Sequence, residues 1–301
     1  MLSLLSQMTT LSFPSATPWL NVGAKLCECP RWDARTDTLH WVDIPAGHLY
    51  AHSWGSTQAP RRLHEGPGPI GGFTLQRDGS FLLFRQNDIA RLQPGGGEPE
   101  VIVPFVHDGS TRFNDVLADP HGRVFAGTIG ATPTSGGLFR IDLDGTVTQV
   151  ASGTGIANGI TFSPDLKLLY WVCSTRRTIF AFPYDQATGQ LGEPTPFFQG
   201  SEEDGYPDGL TSDREGNLYS VRWAAKEYGL YVFNPEGKIL HRQKLPAVAT
   251  SAGCFFGPDL TDFAITSAED LANDPDRPAD LFRMERMPIA GKPDFHSAIG
   301  L

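Results

Sequence analysis

Short runs of apolar and aromatic residues recur along the whole chain, and each follows a turn that contains an aspartate. Successive aspartates of this set are 41 to 48 residues apart. Repeats of roughly 40 to 50 residues that hold several short strands are typical of propeller blades. The pattern predicts an all-β fold, a six-bladed β-propeller. The six repeat aspartates are Asp33, Asp78, Asp119, Asp165, Asp213 and Asp259.

The strands that follow each run indicate how the blades are completed. Most runs lead through a hairpin turn, such as Asp144-Gly145, into further strands, which gives blades of four strands. Residues 281–289 supply the last strand or two, and residues 13–22 are expected to complete the final blade. The ring is thus predicted to be closed by an N-terminal strand, an arrangement that hides the sheet edges.

Glycine and proline are spread evenly and leave little room for helices. The chain has 33 Gly and 24 Pro among its 301 residues, and no stretch of them forms a linker. We therefore expect one domain over residues 1–301, with residues 1–12 as a flexible tail.

Charge and cysteine content narrow the possible partners. The 34 acidic residues outnumber the 24 basic ones, for a net charge of −10, which argues against nucleic acid as a partner. Four irregularly spaced cysteines do not form a disulfide framework, so a reducing, cytoplasmic location is expected. The N-terminal residues indicate neither a signal peptide nor a membrane span. The sequence leaves the oligomeric state open.

Four polar residues stand in tight apolar surroundings, each five to seven residues before a repeat aspartate: Glu28, Asn114, Asn158 and Asp208. Equivalent positions in radial repeats point toward the same axis, so these side chains should converge in the central channel. Two carboxylates buried together are costly unless a cation pairs with them. The set predicts one divalent metal ion, with Ca²⁺ the first choice and Zn²⁺, Mn²⁺, Mg²⁺ or Fe²⁺ also open. The alternative is that Asn-Gly and Asp-Gly are ordinary turn dipeptides.

Motifs around these residues resemble a known family. The motifs are Glu28-Cys29-Pro30-Arg31-Trp32-Asp33, Arg112-Phe113-Asn114-Asp115, Asn158-Gly159-Ile160 and Pro207-Asp208-Gly209-Leu210. In this order they resemble the regucalcin/gluconolactonase-like family, which also includes luciferin-regenerating enzyme. The resemblance also implies a six-bladed propeller.

The resemblance implies a role for each polar residue. Glu28, Asn158 and Asp208 would be the metal ligands, and Arg112 and Asn114 would bind the substrate. Asp208 would also be the catalytic base. Together they imply a metal-dependent hydrolase, a lactonase that opens a small-molecule sugar lactone such as a gluconolactone to its acid. The alternative for Arg112 is a salt bridge to Asp115 or Asp108.

Other interpretations stay open at this point. The same metal site would suit an esterase or an organophosphate hydrolase, and a propeller that binds calcium or a ligand without turnover is a third hypothesis. Cys27 and Cys173 depart from the family pattern, and a buried core role is favoured for both. Three aromatic residues are candidates to line the channel: Phe73, Tyr206 and Trp223.

Overall fold

In a computed structural model, which describes residues 11–105, 109–269 and 280–301, the chain forms six sheets of four antiparallel strands each. The first strands of neighbouring blades contact one another around a closed ring. This arrangement confirms the predicted six-bladed β-propeller. Residues 1–10 of the predicted tail lie outside the described residues.

The first three blades comprise strands β2 to β13. Their bounds are β2 (Cys27–Asp33), β3 (Thr38–Asp43), β4 (His48–Ser53), β5 (Arg61–Glu65), β6 (Ile70–Leu75), β7 (Phe81–Arg85), β8 (Asp88–Leu92), β9 (Glu100–Pro104), β10 (Ser110–Ala118), β11 (Val124–Gly130), β12 (Gly136–Ile141) and β13 (Val147–Thr154).

The last three blades comprise β14 to β24 together with β1. Their bounds are β14 (Ala157–Phe162), β15 (Leu168–Cys173), β16 (Thr178–Pro183), β17 (Thr195–Gln199), β18 (Tyr206–Ser212), β19 (Leu218–Trp223), β20 (Leu230–Phe233), β21 (Ile239–Gln243), β22 (Thr250–Phe256), β23 (Asp262–Ser267), β24 (Leu281–Met284) and β1 (Thr17–Leu20).

The N-terminal strand closes the ring, as the sequence predicts. β1 pairs antiparallel with β24 and is the outermost strand of the sixth blade, whose innermost strand is β22. Strands from both ends of the chain therefore share one sheet.

The repeat aspartates explain why the turns recur. In five of the six repeats the Asp carboxylate accepts a hydrogen bond of 2.8–3.2 Å from the backbone N–H two residues later. Such Asx turns satisfy backbone donors where the chain reverses. The apolar residues that follow pack between neighbouring blades, so the core is divided into several clusters around the ring.

Each first strand carries an irregularity in its pairing with the second strand. The register shifts at equivalent positions in all six blades, which marks a β-bulge in each innermost strand. Bulges re-aim side chains and are frequent beside functional sites. Here they lie near the end of the channel where the first strands begin.

The other end of the channel is crossed by residues 289–300, which we call the C-terminal strap. Its backbone bonds to loops of four blades: Ala290 and Gly291 to blades five and six, and Ser297 and Ala298 to blades two and three. Asp294 forms an ion pair with Arg31 of β2, the innermost strand of blade one, with 2.9 Å between the charged atoms. The strap closes the end of the channel opposite the bulges.

Helical structure is scarce among the described residues, which contain a single short 3₁₀ turn, Ser174–Arg176. Within the described part of the chain, no helix is long and apolar enough to cross a membrane.

Candidate active site

A cavity of about 510 Å³ opens where the first strands begin. The five residues predicted to form the site all line it: Glu28, Arg112, Asn114, Asn158 and Asp208. They come from the innermost strands of blades one, three, four and five, at or beside the bulges. The structure thus brings together the side chains that the repeat pattern placed in phase.

The floor of the cavity is polar and buried. Glu28, Asn114, Asn158 and Asp208 are each only 6% exposed. Glu28 accepts a hydrogen bond from the backbone N–H of Cys29, at 3.0 Å, and Cys29 itself adopts a left-handed conformation with φ of 52°. One oxygen of Asp208, Oδ1, is buried and has no hydrogen-bond partner.

A chain of hydrogen bonds fixes the neutral side chains of the floor. Nη1 of Arg112 donates to Oδ1 of Asn114 at 2.7 Å, and Nδ2 of Asn114 donates to Oδ1 of Asn158. Nδ2 of Asn158 donates to Oγ of Ser174 at 2.8 Å, and that hydroxyl donates to the carbonyl of Pro207 at 2.6 Å. The chain links blades three, four and five and ends beside Asp208.

Electrostatics at the floor are unfavourable for the two carboxylates. Burial raises the pKa of Glu28 well above its ordinary value, and Asp115 adds to the effect. Burial likewise raises the pKa of Asp208, with further repulsion from Glu28 and Asp115. Arg112 acts in the opposite direction on both groups.

Arg112 does not take its alternative role as the salt-bridge partner of Asp115. Its Nη1 donates to Asn114 and to the carbonyl of Phe113, at 2.8 Å, and no ion pair with Asp115 forms. Asp108 lies outside the described residues. Burial lowers the pKa of the Arg112 guanidinium, an effect that the surrounding carboxylates oppose.

The donor set fits a hard divalent cation in its chemistry. Two carboxylates and an asparagine amide oxygen are ligands of the kind that Ca²⁺ and Mg²⁺ prefer, and the unpartnered oxygen of Asp208 faces no competing donor. Among the residues that the structure describes, no group of three or more His, Cys, Asp or Glu side chains is placed to hold a metal. The predicted ligand set contains only two carboxylates, Glu28 and Asp208, and its third ligand is the amide of Asn158.

Of the remaining predictions for the cavity, some are confirmed and one is wrong. Tyr206 and Trp223 line it, whereas Phe73 does not. That interpretation was wrong because Phe73 is fully buried and packs against blade one, with its ring 6.4 Å from that of His40. Cys27 and Cys173 are buried and do not line the cavity, in agreement with the favoured core role.

The sequence interpretation missed three groups beside the site. Ser174, at the 3₁₀ turn after β15, bonds to Asn158, and Arg177 follows the same turn and lines the cavity. Asp115 lies behind the floor, and burial raises its pKa to about 6. Ser174 and Arg177 lie outside the first strands, so their positions in the repeat gave no signal. Asp115 directly follows Asn114, and this neighbourhood was the signal that could have found it.

Comparison with known proteins agrees with the motifs. A family model described as "SMP-30/Gluconolactonase/LRE-like region" matches residues 26–269. The pentonolactonase XacC of Haloferax volcanii is 35% identical over 300 residues, which cover 95% of this chain and 99% of the relative. Regucalcin of Xenopus laevis is 30% identical over 257 residues, with 82% and 84% covered. A solved luciferin-regenerating enzyme superposes with a TM-score of 0.85 at 25% identity, covering 94% of this chain and 99% of that one.

Proposed function

We propose that this protein is a metal-dependent hydrolase of sugar lactones. The chain belongs to the SMP-30/gluconolactonase/LRE-like family and is a lactonase. The observation that carries the proposal is the floor of the cavity. There two buried carboxylates, one with an unpartnered oxygen, lie beside an arginine and two asparagines. The identity of the relative as a pentonolactonase supports an aldonolactone as substrate.

Glu28, Asn158 and Asp208 would hold the cation, with Ca²⁺ the first choice. A divalent cation there supplies a Lewis acid for a carbonyl oxygen, makes nearby water more acidic and offsets the repulsion that raises the pKa of Glu28 and Asp208. The hydrogen-bond chain from Arg112 to Ser174 orients the amide of Asn158, because both ends of that amide are engaged. Asn158 would therefore be held in place by the fold as a ligand.

Arg112 and Asn114 would position the lactone. Nη1 of Arg112 donates hydrogen bonds to the carbonyl of Phe113 and to Asn114, and these bonds fix the plane of the guanidinium at the edge of the cavity. The remaining N–H groups of the fork suit sugar hydroxyls or the ester carbonyl, a geometry that a lysine does not reproduce.

Asp208 would act as the general base. One oxygen of its carboxylate would bind the cation, and the other can accept a proton from water as the water oxygen adds to the carbonyl carbon. The bond from that carbon to the ring oxygen then breaks, and the ring oxygen takes the proton to become a hydroxyl. The only product is the sugar acid, which is ionised at neutral pH and releases a proton. Release of acid is therefore a direct readout of turnover.

The test is acid release from glucono-1,5-lactone in weak buffer, corrected for spontaneous hydrolysis. The protein is assayed as purified, after chelation and after return of single divalent metals. Activity lost on chelation and restored by one metal supports the proposal. Absence of activity with every metal, in protein that still binds a cation, would favour another ester or a binding protein.

Three variants divide the roles. Asp208→Ala and Glu28→Ala should abolish turnover and metal retention while circular dichroism stays unchanged, because both remove a ligand. Arg112→Ala should weaken substrate use while metal still binds. Near-normal activity of either carboxylate variant would contradict the metal site, and loss of metal from Arg112→Ala would contradict the division of roles.

A further inference from the structure

Arg177 is a second arginine of the cavity that the proposed chemistry does not use. It ends the 3₁₀ turn Ser174–Arg176 in a left-handed conformation, with φ of 51° and ψ of 35°. Its backbone is held on both sides, because its N–H donates to the carbonyl of Ser174 at 2.9 Å and its carbonyl accepts from Gly200 at 2.8 Å. The side chain is therefore presented to the cavity from a fixed backbone.

The guanidinium of Arg177 has an aromatic partner and no anionic one. Its central carbon lies 4.4 Å from the centroid of the Tyr206 ring, which also lines the cavity. Its Nε is buried without a hydrogen-bond partner. Of the carboxylates that the structure describes, none is within ion-pair distance of Arg177, and the cation that acts on Glu28 and Asp208 is Arg112. Arg177 thus serves a different part of the cavity from the floor.

The cavity wall around Arg177 has few groups that could stabilise a positive charge. Away from the floor the cavity is lined mostly by apolar side chains: Leu26, Ile44, Ile129, Ile156 and Trp223. A half-buried cation on such a wall loses hydration and gains no ionic partner from the protein. An anionic oxygen group on the ligand would supply that partner, since the planar fork of arginine matches carboxylate and phosphate oxygens.

We propose that Arg177 binds an anionic group, a carboxylate or a phosphate, at the end of the sugar lactone away from the ring carbonyl. The inference rests on the proposed lactonase function and specifies its substrate class as acidic sugar lactones. In this arrangement the floor handles the ester while Arg177 and Tyr206 hold the charged end. The face of Tyr206 keeps the guanidinium in place before substrate arrives.

Two matched substrate pairs test the proposal and separate the two anions. D-glucaro-1,4-lactone differs from D-glucono-1,4-lactone by a carboxylate in place of a hydroxymethyl group, and 6-phosphoglucono-1,5-lactone differs from glucono-1,5-lactone by a phosphate. In the metal-loaded wild type, kcat/KM should be about 10-fold or more higher for the anionic member of at least one pair. Equal or lower values for both anionic lactones would overturn the proposal.

Arg177→Gln should remove this preference. We expect kcat/KM to fall about 10- to 100-fold on the preferred anionic lactone, mainly through KM, and less than about threefold on its neutral partner. Arg177→Lys should recover part of the loss. Arg176→Gln is the matched control, because it removes the same charge one residue away from an exposed side chain that does not line the cavity. An equal loss on the neutral lactone in Arg177→Gln would show that Arg177 binds hydroxyls or maintains the fold, and would refute the proposal.

A binding measurement keeps the inference separate from the lactonase proposal. Calorimetry compares D-glucarate and 6-phosphogluconate with D-gluconate, in wild type and in Arg177→Gln. If no lactone is hydrolysed but an anionic acid binds more tightly in an Arg177-dependent way, the lactonase proposal fails and the anion site stands. If the three acids bind alike in both proteins, the anion site fails whatever the turnover.

Discussion

Replacing Asp208 with asparagine should stabilise the metal-free protein and destabilise the metal-loaded one. The side chain keeps its shape and its polar atoms, but the buried charge beside Glu28, one oxygen of which has no hydrogen-bond partner, disappears. Removing a buried charge that lacks a partner should gain about 1–3 kcal/mol. For 301 residues the entropy of unfolding is about 0.6 kcal/mol/K, so the melting temperature without metal should rise by about 2–5 °C.

The gain should depend on pH with a defined sign. Burial raises the pKa of Asp208 in the folded state, so the folded wild type binds more protons than the unfolded chain above pH about 4. Stability of the metal-free wild type therefore falls as pH rises through this window, and the asparagine variant lacks that part of the fall. The advantage of the variant should be largest near pH 8 and shrink toward pH 4.

With metal the sign reverses, because the variant loses a ligand. A cation at 100 times its Kd stabilises the wild type by about 2.7 kcal/mol, and most of this should be missing in Asp208→Asn. The assays are thermal unfolding and urea unfolding, both followed by tryptophan fluorescence, at pH 5 and pH 8, with chelator and with saturating metal. Glu98→Gln, an exposed change of the same charge, is the control. Equal destabilisation of Asp208→Asn with and without metal would refute the reasoning, since the carboxylate would then have a partner within the protein.

Two further predictions concern groups away from the site. Asp294→Ala should lower the free energy of unfolding by about 2–3 kcal/mol in urea titrations, because it leaves the largely buried Arg31 without its partner. Glu203→Ala, which breaks an exposed ion pair, should cost much less, and equal costs would contradict the first prediction. Burial lowers the pKa of His40 to about 4, so the folded state should lose about 3 kcal/mol as pH falls from 7 to 4. His40→Phe should remove that part of the acid sensitivity in urea titrations, and an unchanged pH dependence would refute it.

The fold was accessible from the sequence because the repeat is local. In five of the six repeats the aspartate closes its own turn, and each apolar run forms a strand beside its neighbour, so spacing alone gave six blades. The site was accessible for a related reason. Glu28, Asn158 and Asp208 occupy equivalent places in different blades, and a closed ring converts equal phase into proximity.

The rest depends on contacts that the repeat does not encode. The C-terminal strap has no counterpart in the other repeats, so its ion pair between Asp294 and Arg31 left no periodic signal. Arg177 lies after the second strand of its blade, and only the three-dimensional path of the turn brings it to the cavity. Phe73 was misplaced because its side chain faces the neighbouring blade one, where it meets the ring of His40, and not the channel.

The way the two ends of the chain are used has a consequence for synthesis on the ribosome. β1 emerges first but can pair only with β24, made some 260 residues later, and the strap that joins four blades is made after that. Until then the first blade lacks its neighbour on one side and the channel is open at both ends. The growing chain should therefore expose sheet surface through most of translation. The ring can close only after β24 has left the exit tunnel, and the strap can join the blades only after Ile299 has left it as well. Loss of residues 290–301, which removes nearly all of the strap, should be far more damaging than a single substitution on the outer strands.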